Sequence, residues 1–153
     1  MGPGLPYRSI VAGTDGSPSS LEAVRQASAI ARAAGARLHL VHALRPAAVG
    51  ALVGAGLAVN VDLGDMSRQL EHEAELVLRR AIDFVPDHDI DVECHARPGA
   101  AAEVIVEVAE QVQADLIVIG NKGMTGARRF LLGSVPNRVA HSAPCSVLVV
   151  NTV

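Results

Sequence analysis

Apolar residues fall along this chain in two alternating textures. Short runs with no polar interruption, Ile10-Val11-Ala12, Leu116-Ile117-Val118-Ile119 and Val147-Leu148-Val149-Val150, have the length and β-branched content of strands buried on both faces. Between the runs, apolar positions recur at three- and four-residue steps, the period of a helix with one face against a core. Leu21, Val24, Ala27, Ile30 and Ala34 form one such stripe. Leu70, Ala74, Val77, Leu78, Ala81 and Val85 form another, with Glu71, Glu73, Glu75, Arg79 and Arg80 largely outside it.

Turn and cap residues divide these textures into elements. A first strand over Tyr7 to Gly13 stops at the turn cluster Thr14-Asp15-Gly16. Ser17 is placed to cap the following helix, Pro18 suits its first turn, and Gly35 supplies a left-handed exit. Arg37 to Ala43 predicts the second strand, and Arg45-Pro46 ends it before a long connection, 45–65, rich in Ala, Gly and Val. A second helix is expected from Asp65 to Val85, before Pro86. Ile90, Val92, Cys94 and Ala96 alternate with Asp91, Glu93 and His95, which predicts a third strand near a sheet edge with its apolar side turned inward. Further helices are expected over Ala100–Gln113 and Ser134–Ser142, and a fifth strand over Ser146–Val150. Strands alternating with helices throughout call for a single doubly wound α/β domain over residues 1–153, a parallel sheet with helices on both faces. Residues 1–6 read as a flexible N-terminus.

Composition narrows the function. The 153 residues are half apolar and 19% charged, with a mean hydropathy of +0.31, which suits a globular core and excludes the polar composition of disorder. Thirteen basic against 16 acidic residues leave a formal charge of -3, no surplus for neutralising a phosphate polymer. Aromatics are limited to Tyr7, Phe84 and Phe130, too few for base-stacking platforms, so no nucleic-acid partner is expected. Cys94 and Cys145 form no CxxC pair and read as small buried hydrophobes in a reducing compartment. His39 and His42, three residues apart on a strand, point to opposite faces, so no zinc or iron site is expected from them. The first residues, MGPGLPYRS, lack the apolar core of a signal peptide, and the most apolar stretch, 47–61, is too short and glycine-rich to cross a bilayer. A cytoplasmic location without membrane association is expected.

In doubly wound sheets the ligand crevice lies beyond the carboxyl ends of the strands. Three features fall at such ends: Gly13-Thr14-Asp15-Gly16, Val41-His42-Ala43, and Gly120-Asn121-Lys122-Gly123-Met124-Thr125-Gly126. The last leads through Gly133-Ser134 into a helix, with two residues between Gly120 and Gly123 and nine between Gly123 and Gly133. Glycine-rich backbone followed by a helix start presents N–H groups and a positive dipole end to a phosphate, and Ser134 is placed as both N-cap and phosphate donor. The spacing is neither a Walker P-loop nor the GxGxxG fingerprint.

With that spacing directly after an apolar strand, and with GSVPNRV leading to APCSVLVV, the chain resembles the universal stress protein family over nearly its whole length. The resemblance implies the strand order 3-2-1-4-5, a homodimer joined through the fifth strand (Val147, Leu148, Val149, Val150), and an adenine-nucleotide pocket. Carried onto matching positions, the backbone at Thr14 and Ala43 would hold the adenine, and Asp15 would face the ribose or a phosphate-bound magnesium. Gly120, Gly123, Gly133, Ser134 and Val135 would line the ribose and phosphates, with Gly13, Ile119, Asn121 and Lys122 completing the pocket. Arg128 and Arg129 are weaker phosphate candidates, since basic residues in exposed turns usually remain solvated. Duller roles stand beside these: Asp15 could merely close its turn or cap the helix, and Gly120 and Gly123 could serve only theirs.

The function expected is a cytoplasmic stress-response protein that binds ATP, AMP or cyclic AMP as a regulatory ligand, with no catalytic residue assigned. Two other readings remain open: slow ATP hydrolysis with Asp15 at the metal and phosphates, and an interaction module that docks a partner through segment 47–61.

Overall fold

The computed structural model describes residues 4–44, 56, 63–86, 89–121 and 133–152. Five parallel strands, β1 (Ser9–Gly13), β2 (Arg37–Leu44), β3 (Val92–Pro98), β4 (Leu116–Gly120) and β5 (Ser146–Val150), form one sheet in the order β3-β2-β1-β4-β5. The helices are α1 (Pro18–Ala34), α2 (Leu63–Asp83), α3 (Ala101–Gln111) and α4 (Ser134–Ser142). The expected architecture is therefore observed, with α2 beginning two residues earlier than its stripe predicted.

Two apolar layers follow from the pleat of the strands. Ile10, Ala12, Leu38, Leu40, Leu116 and Val118 point to one face and pack with Leu21, Val24 and Ala27 of α1 and Leu78 and Ala81 of α2. Val11, Val41, Ile117 and Ile119 point to the other and meet Val104, Ile105 and Val108 of α3 and Val139 of α4. Central β1 and β4 are covered on both sides, which is why their sequences read as unbroken apolar runs.

The caps of α1 are as expected. Ser17 accepts from the Ser20 amide, Pro18 occupies the first helical position, and Gly35 at φ 65° closes the C-terminus by donating to the Ala31 and Arg32 carbonyls. Gly35 needs that left-handed backbone, and no neighbouring atom crowds it.

Two expectations fail on β3. The strand is at the edge, but past Val92 its phase is inverted: His95 and Arg97 are half-buried, while Cys94 and Ala96 are exposed. The reason is coverage, because α2 lies mainly over β2 and leaves the apolar side of the edge strand open. Cys94 is thus not a buried hydrophobe, and Cys145 is only half-buried against the α3–α4 layer. Most of the long connection, residues 45–55 and 57–62, lies outside the described residues, as do residues 1–3. No helix among the described residues is long and apolar enough to cross a membrane.

Candidate functional site

The carboxyl ends of β1, β2 and β4 converge on one edge of the sheet, next to the N-termini of α1 and α4. Leaving β1, the chain turns at once. Thr14 is buried, and its amide donates to the Val41 carbonyl (2.9 Å), extending the β1–β2 ladder by one step. Its hydroxyl is 3.0 Å from the Ser20 hydroxyl and accepts from the Gly16 amide (3.2 Å). Asp15 Oδ1 accepts from the Ser17 amide (2.9 Å), while Ser20 Oγ accepts from the Asp15 amide (3.3 Å). Thr14 and Asp15 therefore hold a preformed turn tied to the first helical turn and to the neighbouring strand. The turn-closing role of Asp15 is present in the structure.

From β2, His42 Nδ1 lies 2.9 Å from the Thr14 carbonyl oxygen. A carbonyl only accepts, so Nδ1 carries the proton in this contact. Ala43, half-buried, stands beside it and pairs in register with Arg97. The Thr14 amide is committed to Val41, which leaves its carbonyl, with a second lone pair, as the backbone group able to accept more.

From β4, Ile119 is buried and contributes backbone only. A Cβ on Gly120 would run into Ser19 of α1, meeting its hydroxyl and its carbonyl oxygen at 2.8 Å, so glycine is required there for close approach of α1. Gly13 is similarly pressed by Ile105, 2.5 Å from a hypothetical Cβ, but by the end of a side chain rather than by backbone. Both glycines have a packing reason that is independent of any ligand.

Asn121 is a structural clamp. Its amide donates to the Val150 carbonyl (3.0 Å) and its Nδ2 to Asn151 Oδ1 (2.8 Å). Its Oδ1 accepts from the Thr152 amide and hydroxyl, both at 3.1 Å. Its carbonyl accepts from the Gly133 amide (3.2 Å), which fastens the start of α4 to the end of β4. The Asn121 side chain thus belongs to the β4–β5 junction.

The start of α4 corrects one expectation. Gly133 is the N-cap residue, with φ -58° and ψ 165°, and Ser134 is already the first helical residue, so Ser134 does not cap the helix. Gly133 has no side chain to cap this first turn, and the turn contains no acidic residue. Ser134 is exposed and Val135 half-buried; Pro136 has no N–H, so the first-turn donors lie on the backbone of Ser134 and Val135. Lys122, Gly123, Arg128 and Arg129 lie outside the described residues.

The structure therefore brings Gly13, Thr14, Asp15, Ala43, Ile119, Gly120, Asn121, Gly133, Ser134 and Val135 to one edge of the sheet. His42 adds a contact that sequence reasoning missed, although its place beside Ala43 at a strand end was the available signal.

Comparison with known proteins fits this geometry. A universal stress protein of Methanocaldococcus jannaschii is 37% identical over 144 residues, covering 94% of this chain and 82% of that protein. The crystal structure of a universal stress protein in complex with cAMP superimposes with a TM-score of 0.73 at 33% identity, covering 97% of this chain and all of that one. The universal stress protein from Archaeoglobus fulgidus in complex with dAMP gives a TM-score of 0.67 at 25% identity, covering 95% of this chain and 98% of that one. The sequence model of the universal stress protein family matches residues 6–151, and with the sheet order and crevice just described the chain belongs to that family.

Proposed function

We propose that this chain is a cytoplasmic stress-response protein that binds an adenine nucleotide, ATP, AMP or cyclic AMP, as a regulatory ligand at the carboxyl edge of its sheet, and that it acts as a homodimer through β5. The observation that carries the reading is the start of α4. A helix whose N-cap is glycine, whose first turn carries no carboxylate and whose N-cap amide is tied to the Asn121 carbonyl at the end of β4 presents backbone N–H groups and a positive dipole end to an anion. Two relatives of similar fold are complexed with cAMP and dAMP, which supports an adenine nucleotide as the anion's source.

In this reading the first turn of α4, with Gly133, Ser134 and Val135, receives phosphate, and the Thr14 and Ala43 backbone faces the base. Asp15 stands at the phosphate side, where a nucleotide-bound magnesium would supply countercharge. Gly123, Lys122, Arg128 and Arg129, which lie outside the described residues, keep the phosphate role that the sequence pattern suggests.

Ser134→Glu tests it directly. The position is exposed, and a carboxylate in the first turn of a helix favours the fold while it opposes a bound phosphate. Calorimetric titration of nucleotide-free protein with ATP plus magnesium, AMP and cyclic AMP should show saturable binding in the wild type. Affinity in the variant should fall at least about tenfold, or about 1.4 kcal/mol, with an unchanged melting temperature. Absence of binding to all three by the wild type would overturn the proposal.

A further inference from the structure

In the amino-terminal halves of β2 and β3, three ligand-type side chains converge. His39 of β2 pairs in register with Glu93 of β3, and His95 follows two residues later, so all three project from the same face of the sheet. His39 is almost fully buried, His95 keeps a tenth of its side chain exposed, and Glu93 is half exposed. His39 Nδ1 lies 3.0 Å from His95 Nε2, Glu93 Oε2 lies 3.6 Å from His39 Nδ1, and Glu93 Oε1 lies 3.8 Å from His95 Nε2. Four strand residues, or about 13 Å, separate His39 from Ala43 at the carboxyl end, and His95, level with Val41, stands two residues, or about 7 Å, short of it.

The two rings share a hydrogen bond at 3.0 Å, and the carboxylate stands just outside hydrogen-bond reach of both. Glu93 Oε2 also lies 3.8 Å from Arg37 Nη1, and burial lowers the pKa of both imidazoles, which favours their neutral forms. Ligand atoms around a tetrahedral zinc ion, with bonds of about 2.0–2.1 Å, lie about 3.3 Å from one another. With one ligand atom from each residue the three atoms lie within 4.8 Å of one another, so binding would open the imidazole pair by a few tenths of an ångström and draw one carboxylate oxygen inward by up to about 1.5 Å. Neutral imidazole and carboxylate are also the forms that bind metal.

Arg37 lies beside the cluster: its Nε donates to Asp91 (2.6 Å) and its Nη1 makes the 3.8 Å contact with Glu93 Oε2, so a bound ion would share the carboxylate with this guanidinium. A cleft of roughly 360 Å³, lined by His39 and Glu93 together with Arg8, Ser9, Arg37 and Val112, opens this side of the cluster to solvent.

We propose that His39, Glu93 and His95 form a binding site for a divalent transition-metal ion of the zinc class. Binding replaces the contact between the two rings: the ring that donates in it moves its proton to its other nitrogen, both facing nitrogens become ligands, and no net proton is lost. Zinc suits the two-imidazole, one-carboxylate set, and Co²⁺ is its spectroscopic substitute.

The test uses chelator-treated, nucleotide-free protein titrated with Zn²⁺ by calorimetry and with Co²⁺ by visible absorption. One equivalent is expected, with the intense d–d bands of a low-coordinate Co²⁺ centre. Glu93→Gln and His95→Gln, both at edge-strand positions that spare the core, should each weaken binding at least about tenfold and should leave binding of the adenine nucleotide unchanged. No Co²⁺ spectrum in the wild type, or binding that is undiminished in both variants, would overturn the proposal. Since the titration contains no nucleotide, its outcome is independent of the crevice at the carboxyl edge of the sheet.

Discussion

His42 donates through Nδ1 to the carbonyl oxygen of Thr14 at 2.9 Å, joining the end of β2 to the turn that leaves β1. With the Thr14 amide held by Val41, both backbone groups of Thr14 are anchored from the neighbouring strand. This cross-strand tie orients the turn containing Asp15 before any ligand arrives, and preorganisation of that kind lowers the ordering cost of binding. Removing the tie should therefore act on both stability and affinity. His42→Ala is expected to cost about 1 kcal/mol, a melting-temperature loss of about 2–4 °C, and to weaken adenine-nucleotide binding. His42→Asn, whose side-chain amide can donate from nearly the position of Nδ1, should restore part of both. Thermal melts and calorimetry on the three proteins check this, and equal affinities in all three would remove His42 from the site.

Gly120 and Gly13 lie at the ends of adjacent strands, and the same substitution should separate them. A methyl group at Gly120 meets the Ser19 carbonyl at 2.8 Å, main chain in the first turn of α1 that cannot give way locally. At Gly13 the obstacle is Ile105 Cδ1, which a rotamer change relieves. Gly120→Ala should lose about 1–3 kcal/mol by overpacking, and Gly13→Ala distinctly less. Denaturant unfolding of both variants measures the difference, and a larger loss at Gly13 would contradict the assignment.

The elements that were legible in the sequence are those specified locally. Pro18 and Gly35 bracket α1 with their own backbone requirements, and the unbroken apolar runs of β1 and β4 follow from their central position. The convergence of Thr14, Ala43 and Gly120 on one edge was legible because each sits where a strand ends. What escaped depends on which strands lie side by side and in what register. Glu93 and His95 alternate visibly along β3, but only the pairing of His39 with Glu93 brings the second imidazole to them. Cys94 looked like the inward residue because Ile90 and Val92 share its phase, yet at an edge strand the placement of α2 decides which side is covered.

The His39–His95 pair also gives the metal-free fold an acid sensitivity. Burial lowers the pKa of His39 below its ordinary value, helped by the neighbouring His95 and Arg37 and opposed by Glu93 and Asp91. Burial likewise lowers that of His95, with Arg97 acting in the same direction and Glu93 against it. The unfolded chain takes up these protons as pH falls through about 6.5, whereas the native state resists until lower pH. The contribution to stability is thus full above about pH 6.5 and declines as pH falls through the depressed native values. Melting temperatures of chelator-treated protein should drop below about pH 6.5 more steeply in the wild type than in His95→Gln. Parallel curves would show that the pair titrates equally in both states.

β5 offers the remaining prediction, because it is the sheet's second edge. Val147 and Val149 pack against the α3–α4 layer and Leu148 against the opposite one, yet all three remain only half-buried, while one side of the strand has no hydrogen-bonded neighbour in the sheet. An apolar edge with unpaired backbone groups is a surface that a second strand can cover, and soluble proteins usually blunt such edges with charge or proline. Residues Val147 to Val150 contain neither. Pairing two copies along β5 would shield these side chains and satisfy the backbone with the same residues on both sides, as a two-fold interface requires. Light scattering of the eluted wild-type protein should therefore report twice the 15.8 kDa chain mass, and Val147→Lys should shift the equilibrium to monomer while circular dichroism stays unchanged. The lysine stem can lie along the partly exposed apolar surface with its ammonium in water, so loss of the dimer would follow from charge at the edge rather than from a damaged core. A wild-type protein that elutes as a monomer would leave β5 as an ordinary edge strand.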